Sequence, residues 1–376
     1  MYSGPIIDVD VHHRWKSDVD MLAYLEPEWR ELADRERNEV WLEAPIALFH
    51  HSTGWNKRSD TVPEAGGPPG SDYELLCEQW LDPYPVERAI LTFDVGTNAG
   101  IPNPMFASAL CRAANDWNID TWLDGHNDPR LYGSILVPTQ LPEDGAAEIY
   151  RHAGNPRMVQ ALVVSNGLGK PFGHPIYHPI YAAAAECDLP IAIHNGGDQW
   201  GLTTHMTAGG MPATRFEFHT LAPQSGLTHL ASFITNGVFE KFPNLRLSMI
   251  EIGVSWLPWL LWQLDRYYPE LKKESPLLKK LPSEYFREHI TVTTQPLEMT
   301  DRREDLIEGL EAADGIEDIL VFSSDYPHWD FDDPTFVARR LPASWAPKVF
   351  YENGLRMLRW PANAKTLELA SAQAEE

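Results

Sequence analysis

The sequence places carboxylate and imidazole side chains at the ends of several short apolar segments. These side chains belong to Asp10, His12, His194, Glu251 and Asp325. Titratable groups in such positions are costly to bury unless they are paired or bind a metal. Two carboxylates and two imidazoles form a mixed oxygen and nitrogen ligand set that suits one divalent ion, Zn²⁺ or Mn²⁺. We therefore predict a metal site with four protein ligands, Asp10, His12, His194 and Asp325, and a proton transferred by Asp325 or Glu251.

Each predicted ligand also has a simpler explanation. Asp10 is suited to capping a turn, and His194 to forming a hydrogen bond inside the core. Asp325 stands in an SSDYP sequence that is typical of turns. The metal hypothesis depends on all of them occurring together at strand ends.

Eight short β-branched or apolar segments, each followed by a helical pattern, provide the framework for these residues. The predicted strands are Ile6–Asp10, Arg88–Phe93, Leu131–Pro138, Val159–Ser165, Pro190–His194, Leu245–Glu251, His289–Gln295 and Ile319–Asp325. Eight such repeats predict an α/β fold, a (β/α)8 TIM-like barrel. A Rossmann fold would require a glycine-rich turn after the first strand, where this chain has Val-His-His-Arg-Trp. In a barrel, side chains at i and i+2 share a side, so Asp10 and His12 should project together.

Two long segments interrupt this alternation, Lys16–Pro85 and Asn195–Leu221. Both follow the carboxyl end of a predicted strand, where barrel enzymes build their active sites, so we expect them to wall a pocket. The first contains one weak helix pattern, Met21–Arg37. We expect a single domain over residues 1–376, with a frayed tail at 361–376.

Composition excludes several classes of function. The formal charge is −24, with 54 acidic and 30 basic residues, and such a surface repels nucleic acid. The three cysteines show no CxxC spacing, which argues against a disulfide scaffold and a thiolate zinc site. No apolar stretch approaches a membrane span and no leader pattern opens the chain, so we expect no membrane partner and a cytoplasmic location.

Ordered motifs along nearly the whole chain resemble the amidohydrolase-2 family of the amidohydrolase superfamily, which includes aminocarboxymuconate semialdehyde and resorcylate decarboxylases. The motifs are IIDVDVHH, DPRLYGSILVP, PIYAAAAECDLPIAIHNGG, GVFEKFPNLRLSMIEIG, VFSSDYPHWDFDDP and YENGLRML. The resemblance implies a (β/α)8 barrel with one divalent metal. It places Asp10 and His12 at the family's first-strand pair, His194 at its fifth-strand histidine and Asp325 at its eighth-strand aspartate.

Two positions depart from the family pattern. Asp10 stands where a histidine or glutamate is usual, which keeps a hard ligand. Glu251 stands where decarboxylase relatives carry a histidine after the sixth strand. Two roles are open for Glu251: a base that accepts a proton from metal-bound water, or a group that orients a ligand. His219, flanked by aromatic residues, is the candidate to replace the missing base.

Recognition of the substrate is predicted from residues in the loops, namely Arg14, Trp15, Trp200 and His328. The arginine suits a carboxylate and the tryptophans a flat apolar group, although packing explains any single tryptophan equally well. We expect a small-molecule substrate, an aromatic acid or amide, and hydrolysis as the reaction. Non-oxidative decarboxylation is the alternative, and a catalytically silent binding barrel is a third possibility.

Trp256, Trp259 and Trp262 form a stripe that suits packing or a subunit contact, so a homo-oligomer is expected.

Overall fold

The computed structural model describes residues 2–35, 56–93, 101, 103–164, 168–194, 207–210 and 212–360. In these residues, eight parallel strands form one sheet whose spatial order follows the chain order. The strands are β1 (Ile6–His13), β2 (Val86–Phe93), β3 (Leu131–Leu136), β4 (Met158–Val163), β5 (Ile191–His194), β6 (Leu247–Ile250), β7 (Ile290–Thr293) and β8 (Leu320–Val321). The eight predicted strands and the predicted (β/α)8 barrel are therefore confirmed.

Helices connect the strands and form the outer layer. In the first half they are α1 (Asp18–Leu22), α2 (Pro27–Arg35), α3 (Tyr73–Leu76), α4 (Pro104–Trp117), α5 (Pro142–His152) and α6 (His178–Glu186). In the second half they are α7 (Arg215–Thr220), α8 (Pro223–Thr235), α9 (Val238–Lys241), α10 (Leu257–Leu271), α11 (Pro282–His289), α12 (Arg303–Glu311), α13 (Pro334–Arg340) and α14 (Asn353–Leu358).

The barrel closes through the segment that follows β8 rather than through a regular ladder. Val9 N donates to Phe322 O at 3.3 Å, and His12 N donates to Tyr326 O at 2.7 Å. Asp325 N donates to Asp10 O at 3.2 Å. Because these bonds join the two strand ends that carry predicted ligands, closure of the barrel also assembles the site.

The strands read as apolar runs because nearly all of their residues are buried. Every residue of β1, β4, β5 and β6 is buried. This is the pattern of parallel strands covered on both faces. Observed ends differ from the predicted ones by a few residues; for example, β8 has two residues where seven were predicted. The loop carrying Asp325 begins directly after it.

Two helical predictions are refined by the structure. The predicted helix Met21–Arg37 is two helices, and the second one starts at Pro27, because proline is favoured in the first turn of a helix and breaks its interior. In the tryptophan stripe, Trp256 is buried, whereas Trp259 and Trp262 are about half exposed. The homo-oligomer stays a prediction. In the residues searched, no helix has the length and apolar character of a membrane span.

Candidate metal centre and active site

Asp10 and His12 project from the end of β1 into the mouth of the barrel. The register of β1 against β2 shifts between Asp8 and Val11, so the ladder is irregular in the stretch that contains Asp10. Asp10 is fully buried, and its Oδ1 accepts a hydrogen bond from Thr92 Oγ1 at 2.5 Å. His12 Nε2 lies 3.6 Å from Asp10 Oδ1. The two side chains therefore share one side of the strand, as the spacing predicted.

His194, at the end of β5, meets this pair from across the barrel. Its Nε2 lies 3.2 Å from His12 Nε2 and 3.5 Å from Asp10 Oδ2. Glu251, directly after β6, brings its Oε2 within 3.3 Å of the same His194 nitrogen. Two ring nitrogens and two carboxylates therefore face one point.

Asp325 completes the cluster from the segment after β8. Its Oδ1 lies 2.9 Å from His12 Nε2 and 2.7 Å from His328 Nδ1. On its other side, Oδ2 accepts a hydrogen bond from Gln295 Nε2 at 3.0 Å. The structure thus brings all four predicted ligands together, with Glu251 and His328 beside them.

Both Glu251 and Asp325 have a left-handed backbone, each with a φ of 60°. This region is unfavourable for non-glycine residues, and such conformations concentrate at functional sites. At Glu251 the backbone N–H donates to Thr293 Oγ1 at 3.0 Å, which holds the residue in place. The strand therefore ends sharply and turns the side chain into the mouth.

The turn after Glu251 is fixed by the Glu298 carboxylate. This group accepts hydrogen bonds from the backbone N–H groups of Val254 and Ser255 and from the Ser255 hydroxyl, over 2.7–3.1 Å. Gly253, directly before Val254, has a φ of +66°, and a Cβ there would approach Glu298 Oε1 to 2.6 Å. Only glycine fits this position without displacing the carboxylate.

Another buried carboxylate, Asp8, links the ends of the first and last strands. It accepts hydrogen bonds from the Ser324 backbone N–H at 3.0 Å, from the Ser324 hydroxyl at 2.5 Å and from the Asp10 N–H at 3.2 Å. Burial raises the pKa of Asp8 to about 7, and the bonds from Ser324 oppose that rise. Asp8 therefore positions the residues that flank the two ligand carboxylates.

Burial and mutual charge set the protonation of the cluster. Burial raises the pKa of Asp325 to about 7, and it raises the pKa of Glu251 well above its usual range, helped by the charge of Asp325. Burial opposes the charged forms of both His12 and His194. Burial lowers the pKa of His12. At His194, burial acts in the same direction, but the charge of the adjacent Asp10 outweighs it and raises the pKa to about 10. These shifts favour the protonated forms of Asp325 and Glu251.

The residues present fit a divalent cation. Asp10 Oδ2 and Asp325 Oδ1 are buried and lie 2.7–3.5 Å from imidazole nitrogens, yet accept no well-aligned hydrogen bond from the described residues. Ligand atoms of Asp10, His12 and His194 lie within 4.8 Å of one another, as do those of His12, Asp325 and His328. Lone pairs that converge without hydrogen bonds are expected where a cation binds, and the donor set suits Zn²⁺ or Mn²⁺.

The remaining predicted residues occupy different places. His219, on α7, is half-buried, and its Nε2 lies 2.9 Å from Asp330 Oδ2, which raises the pKa of the histidine against the effect of burial. Arg14 is half-buried directly after β1, and its backbone N–H donates to Gly70 O. Trp15 is buried edge-on against Trp117, in agreement with the packing explanation. Trp200 lies outside the described residues.

Sequence reasoning missed three polar residues that support the cluster. Gln295 holds Asp325, Glu298 holds the turn after Glu251, and Lys57 lies with its Nζ 2.6 Å from His328 Nε2. Gln295 stands at the end of a predicted strand, and its position there was the available signal. Lys57 and Glu298 lie in loops, where a charged residue is ordinary, so the sequence offered no signal for them.

The barrel and the buried cluster at its carboxyl end define a class of protein. Residues 7–360 match the family model described as amidohydrolase. The chain therefore belongs to the amidohydrolase family, which confirms the resemblance found in the sequence.

A decarboxylase, OrsB of Emericella nidulans, is 28% identical over 187 residues, or 47% of this chain and 54% of the relative. The aligned part thus spans about half the length of that protein. A 5-carboxyvanillate decarboxylase from Novosphingobium aromaticivorans, crystallised with manganese and 4-hydroxy-3-methoxy-5-nitrobenzoic acid, has a TM-score of 0.66 and 20% identity. That comparison covers 95% of this chain and 96% of the other.

A dihydroxybenzoic acid decarboxylase from Polaromonas sp. JS666, with bound manganese and the inhibitor 2-nitroresorcinol, gives a TM-score of 0.63 at 19% identity. It covers 98% of this chain and 99% of that one. At these identities the two structural comparisons show the shared fold.

Proposed function

We propose that this chain is a Mn²⁺- or Zn²⁺-dependent decarboxylase that removes the carboxylate of a small aromatic acid without oxidation. The relatives named above favour this alternative over the hydrolysis that the sequence analysis preferred. The observation that carries the proposal is the pair of carboxyl groups, the half-buried Glu251 and the fully buried Asp325, beside His194 and His12.

The protonation of Glu251 supports decarboxylation. Hydrolysis requires a base that accepts a proton from water, whereas decarboxylation requires an acid that gives a proton to carbon. Burial and the charge of Asp325 raise the pKa of Glu251 well above its usual range, which favours the protonated acid over the carboxylate base. We assign Glu251 as that acid, at the position where related decarboxylases carry a histidine.

The proposed step balances as one proton consumed and one CO₂ released. Glu251 gives its proton to the ring carbon that bears the carboxylate. The bond to the carboxylate then breaks, its electron pair restores the aromatic ring, and Glu251 regains a proton from water. When bound by Asp10, His12, His194 and Asp325, the divalent cation would draw electron density from the substrate oxygens. Gln295 holds Asp325 in place for this role.

The reaction is tested with hydroxybenzoates and aryl amides, using the Mn²⁺ and Zn²⁺ forms of the protein in ²H₂O and in H₂¹⁸O. We expect CO₂ release, one deuterium at the vacated ring carbon and no ¹⁸O in the aromatic product. Cleavage of an amide with ¹⁸O in the acid product would instead establish a hydrolase. If the protein turned over none of these compounds and bound no stoichiometric metal, it would be a catalytically silent binding barrel.

The assignment of the acid is tested by Glu251→Gln, which keeps the shape of the side chain and removes its transferable proton. We expect kcat to fall by about 10²- to 10⁴-fold, the usual contribution of general acid catalysis, with metal content unchanged. His219→Asn is the matched comparison. If His219→Asn abolishes turnover and Glu251→Gln does not, the histidine is the acid and the assignment is wrong.

A further inference from the structure

A buried lysine from the segment between β1 and β2 reaches the edge of the candidate metal centre. Lys57 is 5% exposed, and its Nζ lies 2.6 Å from Nε2 of His328, which is 6% exposed. The opposite ring nitrogen of His328 lies 2.7 Å from Asp325 Oδ1. Lys57, His328 and Asp325 therefore form a continuous chain of contacts from the loop segment to a predicted ligand.

Backbone contacts hold Lys57 in this position. Lys57 and His328 form an isolated antiparallel bridge. On either side of it, Arg58 N donates to Pro327 O at 3.0 Å, and Trp329 N donates to Asn56 O at 3.3 Å. Since these bonds involve only main-chain atoms, replacing the Lys57 side chain should leave the segment in place.

The contact has a chemical consequence for His328. An ammonium group has three donors and no acceptor, so His328 Nε2 must be the acceptor in the bond with Lys57. The neutral ring then carries its proton on Nδ1, the nitrogen beside Asp325 Oδ1. A ring nitrogen that carries a proton has no lone pair to bind a metal.

We propose that Lys57 is a positioning residue that fixes His328 in the tautomer with its proton on Nδ1. His12, Asp325 and His328 also lie close enough to form a metal-binding group of their own. By fixing the tautomer, Lys57 keeps His328 outside the ligand set and leaves the protonated Nδ1 beside the Asp325 carboxylate, 2.7 Å from its Oδ1. Outer groups of this kind orient ligands, and their loss typically reduces metal affinity or activity by about 10- to 100-fold.

The tautomer is measured by correlation spectra of protein labelled with ¹⁵N in its histidine rings, in the metal-free and Zn²⁺-loaded forms. His328→Asn identifies the signal by its loss. We expect Nδ1–H in the wild type and in Lys57→Arg, which also offers only donors. In Lys57→Met we expect a shift to Nε2–H or a mixture of both forms. Arg58→Met is the matched control, since it removes the neighbouring cation, which pairs with Asp60, and should leave the tautomer unchanged.

An Nε2–H tautomer in the wild type would overturn the proposal, whether or not the Lys57→Met variant folds. The same would follow from an unchanged tautomer in folded Lys57→Met. Only the kinetic measurement depends on the proposed decarboxylase function. In that measurement, we expect Lys57→Met to lower kcat by about 10- to 100-fold with little change in KM. Lys57→Arg should retain most of the wild-type kcat. The spectra decide the tautomer even if the protein decarboxylates nothing.

Discussion

Replacing Gly253 by alanine is expected to destabilise the fold by roughly 2–4 kcal/mol, from two sources. The first is the backbone, because Gly253 has a φ of +66°, and a left-handed conformation costs an alanine about 1–2 kcal/mol. The second is Glu298, whose Oε1 would lie 2.6 Å from the new Cβ, closer than atoms can approach.

Glu298 must therefore move and give up some of its bonds to Val254 and Ser255. The carboxylate is half-buried, so water replaces part of what is lost, and we take about 1–2 kcal/mol for this second source. Because the turn directly follows Glu251, the variant should also lose the proposed decarboxylase activity.

The assay is equilibrium unfolding in urea of the metal-free protein, which removes the contribution of bound metal to stability. Gly309→Ala is the control of opposite sign. Gly309 lies exposed inside α12 with no atom within 4 Å of an added Cβ, so alanine should stabilise by about 0.5–1 kcal/mol. A Gly253→Ala variant within about 0.5 kcal/mol of wild type would refute the reasoning, since surface substitutions alone span that range.

Three further outcomes are expected. Burial raises the pKa of Asp332 from 3.8 to about 7, so the folded state binds more protons than the unfolded one between those values, and stability falls as pH rises through them. Asp332→Asn should flatten this fall by up to about 1.4 kcal/mol per pH unit in urea titrations, and an unchanged slope would contradict the shift. His194→Ala should lose stoichiometric metal by elemental analysis while His289→Ala, at the opposite end of the strands, retains it; metal retained by both would remove His194 from the ligand set. Tyr181→Phe removes the buried 2.5 Å hydrogen bond to Phe172 O, so thermal unfolding should show a loss of about 1–2 kcal/mol, and no loss would show that the bond contributes nothing.

The sequence predicted the barrel because each strand is a short apolar run bounded by turn residues, and parallel strands buried on both faces require that pattern. It also predicted that Asp10 and His12 project together, since alternation along a strand follows from backbone geometry. The convergence of these side chains with His194 and Asp325 follows from closing eight strands in order.

The residues that hold the site in place were not predictable in the same way. The contact between Lys57 and His328 joins positions 271 residues apart, and nothing in the local pattern around Lys57 distinguishes it from an exposed lysine. Glu298 reaches the turn after β6 from 43 residues away. Such pairings depend on how loops fold against one another, and hydrophobic periodicity carries no information about them.

The bonds that close the barrel have a bearing on synthesis of the chain. Asp10 is made more than three hundred residues before its neighbour across the closure, Asp325, which is followed by α13 and α14. An incomplete chain that ends before Asp325 holds the other three predicted ligands without the strand end that fixes them. A ribosome-bound intermediate should therefore bind divalent ions only weakly, and tight binding should begin when the segment after β8 bonds to β1. Acquisition of metal would then report that the whole barrel has closed.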